Sequence, residues 1–267
     1  SSGGIYSDVN NPRQPTTSGA SNSRYTQMYN RVRGISGDTA LKENSGTPQR
    51  QALQWLVSGD PTGVSPDDKT FMLRYALTVI YYAFQGENWY TNEAWLVNAN
   101  LCAWIGVNCS VRTSSDSNGQ VVSKYEITGL SLGNMNLAGS IPTELSYISS
   151  LIDIDFSQNR ITGTVPTSIG SVVNLESLNL SKNNIEGSIP VTFSVLTELQ
   201  VLRLNDNMLT GGVLKALANA DRLRILHLEH NNLSGVIPSV VCSNVTSSTD
   251  FVIGCGVTCS CCNMVCT

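Results

Sequence analysis

Asp153 and Asp155 stand two residues apart in "LIDIDF", and paired carboxylates at that interval are the first place to look for acid–base chemistry. On an extended strand both side chains leave the same face, about 7 Å apart by strand rise. That separation suits an inverting glycosidase, in which one carboxyl group protonates the leaving oxygen while the other activates a water. The strand face that carries them contains no aromatic residue and no cleft wall, so the expectation is an open face and no catalytic residue. His227 and His230 flank Glu229, a metal-ligand pattern by residue type. The alternative is a solvated sheet edge, and the expectation is no metal and no cofactor. Six cysteines crowd the end of the chain (Cys242, Cys255, Cys259, Cys261, Cys262 and Cys266), and C-x-C-C is also a thiolate-rich spacing. No Ser-His-Asp set, phosphate loop or zincin motif is visible.

Composition narrows the partners. Only 13% of the 267 residues are charged and the formal net charge is -4, so no basic field exists to hold nucleic acid or an anionic membrane. The longest apolar run, "FMLRYALTVIYYAF", is too short to span a bilayer and carries Arg74. Eight cysteines in all, together with Asn-x-Ser/Thr sequons at Asn108, Asn179, Asn232 and Asn244, point to an oxidising compartment and N-linked glycans. In that compartment the terminal cysteines are expected to form a disulfide-bonded cap, with fifteen possible pairings among six thiols. The first residues lack a basic flank and an apolar stretch, so the expectation is a secreted chain or ectodomain whose targeting segment has been removed.

The elements that must carry these residues are repetitive. Ile127, Leu151, Leu175, Leu199 and Leu223 are each 24 residues apart, and apolar positions recur at fixed offsets behind them. The pattern L-x-x-L-x-L-x-x-N-x-L at this period is the signature of leucine-rich repeats, an α/β solenoid of five coils with one short strand per coil. Asn159, Asn183, Asn207 and Asn231 occupy the turn position, where an amide can satisfy buried backbone groups. In the fourth coil Leu214 replaces the proline found in the others, and "VLKALANA" leads one to expect a more helical arc there.

The added "GxIP" phrase, as in "LEHNNLSGVIP", resembles the plant-type leucine-rich repeats of receptor ectodomains and polygalacturonase-inhibiting proteins. "CAWIGVNC" resembles their N-terminal capping motif, which implies a bridge between Cys102 and Cys109. The stretch from "TPQRQALQWLVSGDP" to the terminal "CSCC" is similar to repeat proteins of diatoms and related algae, which implies a surface protein.

The domain reading is a polar leader over 1–46, a helical cap over 47–124, repeats over 125–241 and a Cys-rich cap over 242–267. Thr47 before Pro48 and Ser65 before Pro66 are capping pairs that predict helices over 48–58 and 66–85. The second helix is expected to dock Phe71, Met72, Tyr75, Ala76, Val79, Ile80 and Ala83 on the first coil. Trp89, Trp95 and Trp104 read as cap core rather than a carbohydrate platform. The leader has the composition of a chain without fixed structure, ordered only by lying along its own solenoid or a neighbour's.

The variable strand positions line up in ladders on the inner face. Asp153, Asp155, Asn179, Arg203, Arg224, His227 and Glu229 are the candidate contacts. The function expected is non-catalytic recognition of a protein or glycan at the cell surface. The alternative is a structural subunit that binds copies of itself, with the leader reaching a neighbour.

Overall fold

The computed structural model describes residues 23–115, 118, 120–243 and 249–265. Cys266 and the sequon at Asn244 lie outside them, as does the leader before residue 23.

Eight strands form one sheet, and their spatial order is their chain order. They are β1 (Val107–Ser115), β2 (Val121–Ser131), β3 (Asp153–Asp155), β4 (Ser177–Asn179), β5 (Val201–Arg203), β6 (Ile225–His227), β7 (Asp250–Gly254) and β8 (Asn263–Val265). The first pair is an antiparallel hairpin; every later pairing is parallel. Each coil leaves its inner strand, turns at the Asn position and returns through an outer arc, where a smaller parallel sheet runs through Glu186–Ser188, Met208–Gly212, Asn232–Val236 and Val257–Thr258. The repeated leucine-type residues fill the space between the two sheets, and Leu130, Ile154, Leu178, Leu202 and Leu226 are wholly buried.

The turn asparagines act as the sequence predicts. Asn183 Nδ2 donates to the carbonyls of Phe156, Leu180 and Ser181, while its Oδ1 accepts from the Ile161 amide. Asn159, Asn207 and Asn231 repeat the arrangement one coil at a time. Just before each of them the backbone turns left-handed at a residue other than glycine: Gln158, Lys182, Asp206 and His230. Gly139 has φ +108 and cannot be anything else, because a Cβ there would lie 2.2 Å from the Ala83 carbonyl oxygen of the cap helix. The fourth arc is not helical. Residues 214–219 form turns closed by two backbone bonds, Leu217 to Val213 at 3.3 Å and Ala220 to Leu217 at 3.2 Å, whereas the three preceding arcs are 3-10 helices.

The N-terminal cap holds three helices, α1 (Arg24–Ala40, kinked at Gly37), α2 (Pro48–Ser58) and α3 (Phe71–Ala83). Thr47 caps α2, accepting from the Arg50 amide at 3.2 Å. The third helix starts five residues later than the Ser65–Pro66 pair predicts. Asp68 accepts hydrogen bonds from the Thr70 amide and hydroxyl, both 2.7 Å, and this local turn competes with the first helical turn. Its apolar residues also divide rather than face one way. Ala76, Leu77 and Ile80 join the solenoid core, while Phe71, Tyr75 and Val79 pack under α1 and α2. Trp89, Trp95 and Trp104 are all buried, with the Trp95 and Trp104 ring centroids 4.8 Å apart.

The leader reading needs correction over its described part. Residues 24–40 are helical, and Met28 and Val32 are buried against α2 and α3. Ser36 Oγ donates to Glu144 Oε1 at 2.6 Å and also bonds the Tyr75 hydroxyl, so the segment is fastened to the chain's own first coil. That contact removes residues 23–46 from any arm reaching a neighbour.

Cap and repeat share β2, so no boundary falls at residue 124. At the far end β7 and β8 extend the inner sheet beyond the fifth coil, and Phe251, Ile253 and Val257 cover the core. Cys102 is bonded to Cys109, Cys242 to Cys261 and Cys259 to Cys262; Cys255 is also disulfide-bonded. No free cysteine is found among the described residues.

Candidate functional site

The inner sheet brings most of the predicted contacts onto one face. Its register sets Ser131, Asp155, Asn179, Arg203, His227 and Val252 side by side, and beside them Gly129, Asp153, Ser177, Val201, Ile225 and Asp250. Neighbouring strands lie about 4.8 Å apart, so each row is a rigid ladder. All these strands are only three residues long in the middle coils, and a buried leucine-type residue between each outward pair pins its direction.

Partners differ sharply along the face. Asp155 Oδ1 accepts from the Ser157 amide at 2.9 Å, and Asn179 Oδ1 accepts from the Ser181 amide and hydroxyl. Those groups are committed to the strand ends. Asp153, Arg203 and Arg224 have no side-chain hydrogen bond or ion pair among the described residues, and Arg203 stands between Asn179 and His227 near the centre. The face therefore offers an acidic end at Asp153 and a free guanidinium in the middle.

The two histidines are not gathered around Glu229. His227 Nε2 meets Asp250 Oδ2 at 2.8 Å, and His230 Nδ1 meets Asp206 Oδ1 at 2.7 Å on the rim. Glu229 keeps one buried oxygen, Oε2, without a partner, as does Asn205 at Oδ1 one coil earlier. Among the described residues the one group of three potential metal ligands is Cys242, Cys259 and Cys261, and those sulfurs are committed to disulfides.

Of the sequons, Asn108 and Asn179 share the inner face. Asn108 pairs opposite Gly129 and donates from Nδ2 to Ser131 Oγ at 2.7 Å. Asn232 is exposed on the outer sheet.

Sequence reasoning missed Asp250, because it follows Ile225 by 25 residues and His227 by 23, off the 24-residue period. It also missed the Asp206–His230 rim pair, although that pair is spaced by 24 and both residues precede a turn asparagine. The period itself was the available signal.

Two family profiles, both described as leucine rich repeat, match residues 173–233 and 150–172. The chain is similar to the repeat ectodomain of the receptor kinase SOBIR1 from Arabidopsis thaliana, with 32% identity over 66% of this chain and 87% of that one and a TM-score of 0.54. It is also similar to a plant ice-binding protein, with 27% identity, a TM-score of 0.52, and coverage of 71% of this chain and 55% of that one.

Proposed function

Since this chain belongs to the leucine-rich repeat family, we propose that it is an extracellular recognition module whose inner sheet binds a protein partner through Arg203. The observation that carries the reading is the unpaired Arg203 guanidinium at the centre of a flat, rigid ladder. Arginine, with five donors, is one of the three residue types, with Trp and Tyr, enriched among the residues that carry binding energy at interfaces. Asp153 at the acidic end supplies the opposite charge, so a partner with a carboxylate over Arg203 and a basic group over Asp153 is fixed in direction along the sheet. The likeness to a receptor ectodomain and the disulfide-bonded caps support an extracellular setting.

Arg203→Glu is expected to weaken binding of the partner that co-purifies with the native protein by at least about tenfold, measured by surface plasmon resonance. Unchanged affinity would place the contact elsewhere. Glycopeptide mass analysis of the native protein adds a second check, since a glycan on Asn179 at full occupancy would stand in the docking path and exclude a broad protein contact there.

A second reading rests on the opposite face. Thr162, Thr210, Ser234 and Thr258 are exposed on the outer arcs, and each hydroxyl donates to the carbonyl of a glycine in the preceding coil, at 3.2–3.4 Å. Oriented hydroxyls at coil spacing make a neutral array suited to ordering water, and the likeness to an ice-binding protein supports ice as its target. Exposed Glu186 interrupts the row. The full chain should then inhibit ice recrystallisation, and Thr162→Tyr with Thr210→Tyr should abolish that effect. Absence of ice shaping by the unaltered chain removes this reading.

A further inference from the structure

We propose that a groove between the helical cap and the first coil binds a neutral oligosaccharide, a site independent of the inner-sheet reading. A cavity of about 450 Å³ lies where the 62–70 segment and the start of α3 meet the turn at 99–102, with Tyr125 of β2 on its wall. A second hollow of about 250 Å³ lies beyond, lined by Met72, Tyr147, Ser149 and Ser150. Leu73 and Tyr125 line both, which makes them two halves of one groove. The larger half falls in the range of small-ligand sites, roughly 300–1,000 Å³.

Two features select the ligand class. The first is aromatic. Tyr125 is 68% exposed and Tyr147 43% exposed, while Trp89, Trp95 and Trp104 of the same cap are buried. Exposed phenol rings in a groove give flat apolar faces for the C–H faces of sugar rings and a hydroxyl at the wet end.

The second is electrostatic. The charges around the groove are mostly neutralised within the protein. Arg74 is held by Asp60 at 3.2 Å and by the Ala99 carbonyl, and Glu126 pairs with Arg112 at 2.9 Å. Lys69 and Asp68 are adjacent and of opposite sign. A groove without a net field does not select a phosphate or an acidic peptide; it suits a neutral polyol.

Hydrogen-bonding capacity is left over for such a ligand. Arg74 is 3% exposed, lines the larger half and keeps a buried Nε–H with no partner. Asn100 spends its Oδ1 on the Cys102 amide and leaves its Nδ2 without a partner among the described residues. Thr62 and Thr70 hydroxyls donate to Asp60 and Asp68, so their remaining lone pairs are fixed in direction on the cavity wall. A buried donor without a partner, as at Arg74 Nε, is costly, and a hydroxyl oxygen of a sugar is a suitable acceptor for it and for the exposed Asn100 Nδ2.

The test is calorimetric titration of the full chain with laminarihexaose, cellohexaose and mannohexaose as neutral probes, and an oligogalacturonate as the charged one. At least one neutral hexasaccharide is expected to bind at millimolar or lower concentration, and the oligogalacturonate to bind more weakly. Tyr125→Ala and Tyr147→Ala should each weaken the neutral ligand by about tenfold or more. Both rings are exposed, so the melting temperature should hold, and Arg203→Glu should leave sugar affinity unchanged. The proposal is overturned if no neutral probe binds, if binding survives Tyr125→Ala, or if the charged probe is preferred. It is equally overturned if a synthetic peptide of residues 1–22 binds the full chain in a Tyr125-dependent way and excludes the sugar, since the groove would then belong to the chain's own leader.

Discussion

Asn183→Ala is expected to cost about 3–5 kcal/mol, a loss on the scale of truncating a core side chain within the coils. The side chain is 8% exposed and its four polar contacts all go to backbone groups: three carbonyls on two successive coils and the Ile161 amide. Alanine leaves the Ile161 amide without an acceptor where water has little access, at roughly 1–3 kcal/mol. It also takes one of two donors from each of three carbonyls, which keep Asn159, Asn207 and the Gln158 amide, at about 0.5–1.5 kcal/mol per lost bond. Asn183→Asp should be nearly as damaging, because a carboxylate can accept from Ile161 but has nothing to donate to three carbonyl oxygens. Equilibrium urea unfolding followed by far-UV circular dichroism checks this. A loss below about 1 kcal/mol would mean that the coils close without the amide.

The second large effect belongs to the cap. Asp60→Ala should destabilise the protein by about 3–5 kcal/mol, because it strands the Arg74 charge in the interior. Arg74 and Asp60 have side chains only 4% and 0% exposed. Burial pulls the Arg74 guanidinium below its ordinary pKa, against the opposing attraction of Asp60 and Asp68. Asp60 also accepts from the Thr62 amide and hydroxyl and from the Val64 amide, so its loss frees the segment that leads into α3. A surface pair supplies the contrast. Arg222→Ala breaks its contact with Glu198, but those side chains are 58% and 39% exposed, and the change should stay within about 1 kcal/mol. If the two substitutions shift the urea midpoint equally, the buried pair is not holding the cap.

These two sites differ in how they can be read. Asn183 was visible in the sequence as a scaffold residue, because its neighbours in the structure are its equivalents in the period: Leu180 before it, Phe156 one coil back. The bond between Asp60 and Arg74 was not visible. Both residues stand outside any repeat, and nothing local says that the helix end and the 60–64 segment meet.

The same division runs through the whole molecule. Strict spacing of Ile127, Leu151, Leu175, Leu199 and Leu223 determined the coils, the inner sheet and its ladders, since each coil contacts chiefly the next and register follows from repetition. Thr47 with Pro48 determined where α2 begins, because a capping bond spans only three residues. Tertiary structure alone decided the rest. Helix α1 buries just Met28 and Val32, too few apolar residues to announce a helix, and it is held by Arg24 on the Leu56 and Gly63 carbonyls and by Ser36 on Glu144. Asp250 reached His227 only because β7 adds to the sheet out of period, which ties up a histidine that the ladder alone left free. The groove beside Tyr125 exists because α3 lies across the first coil, a contact made by chain segments more than fifty residues apart, whose meeting no local pattern encodes.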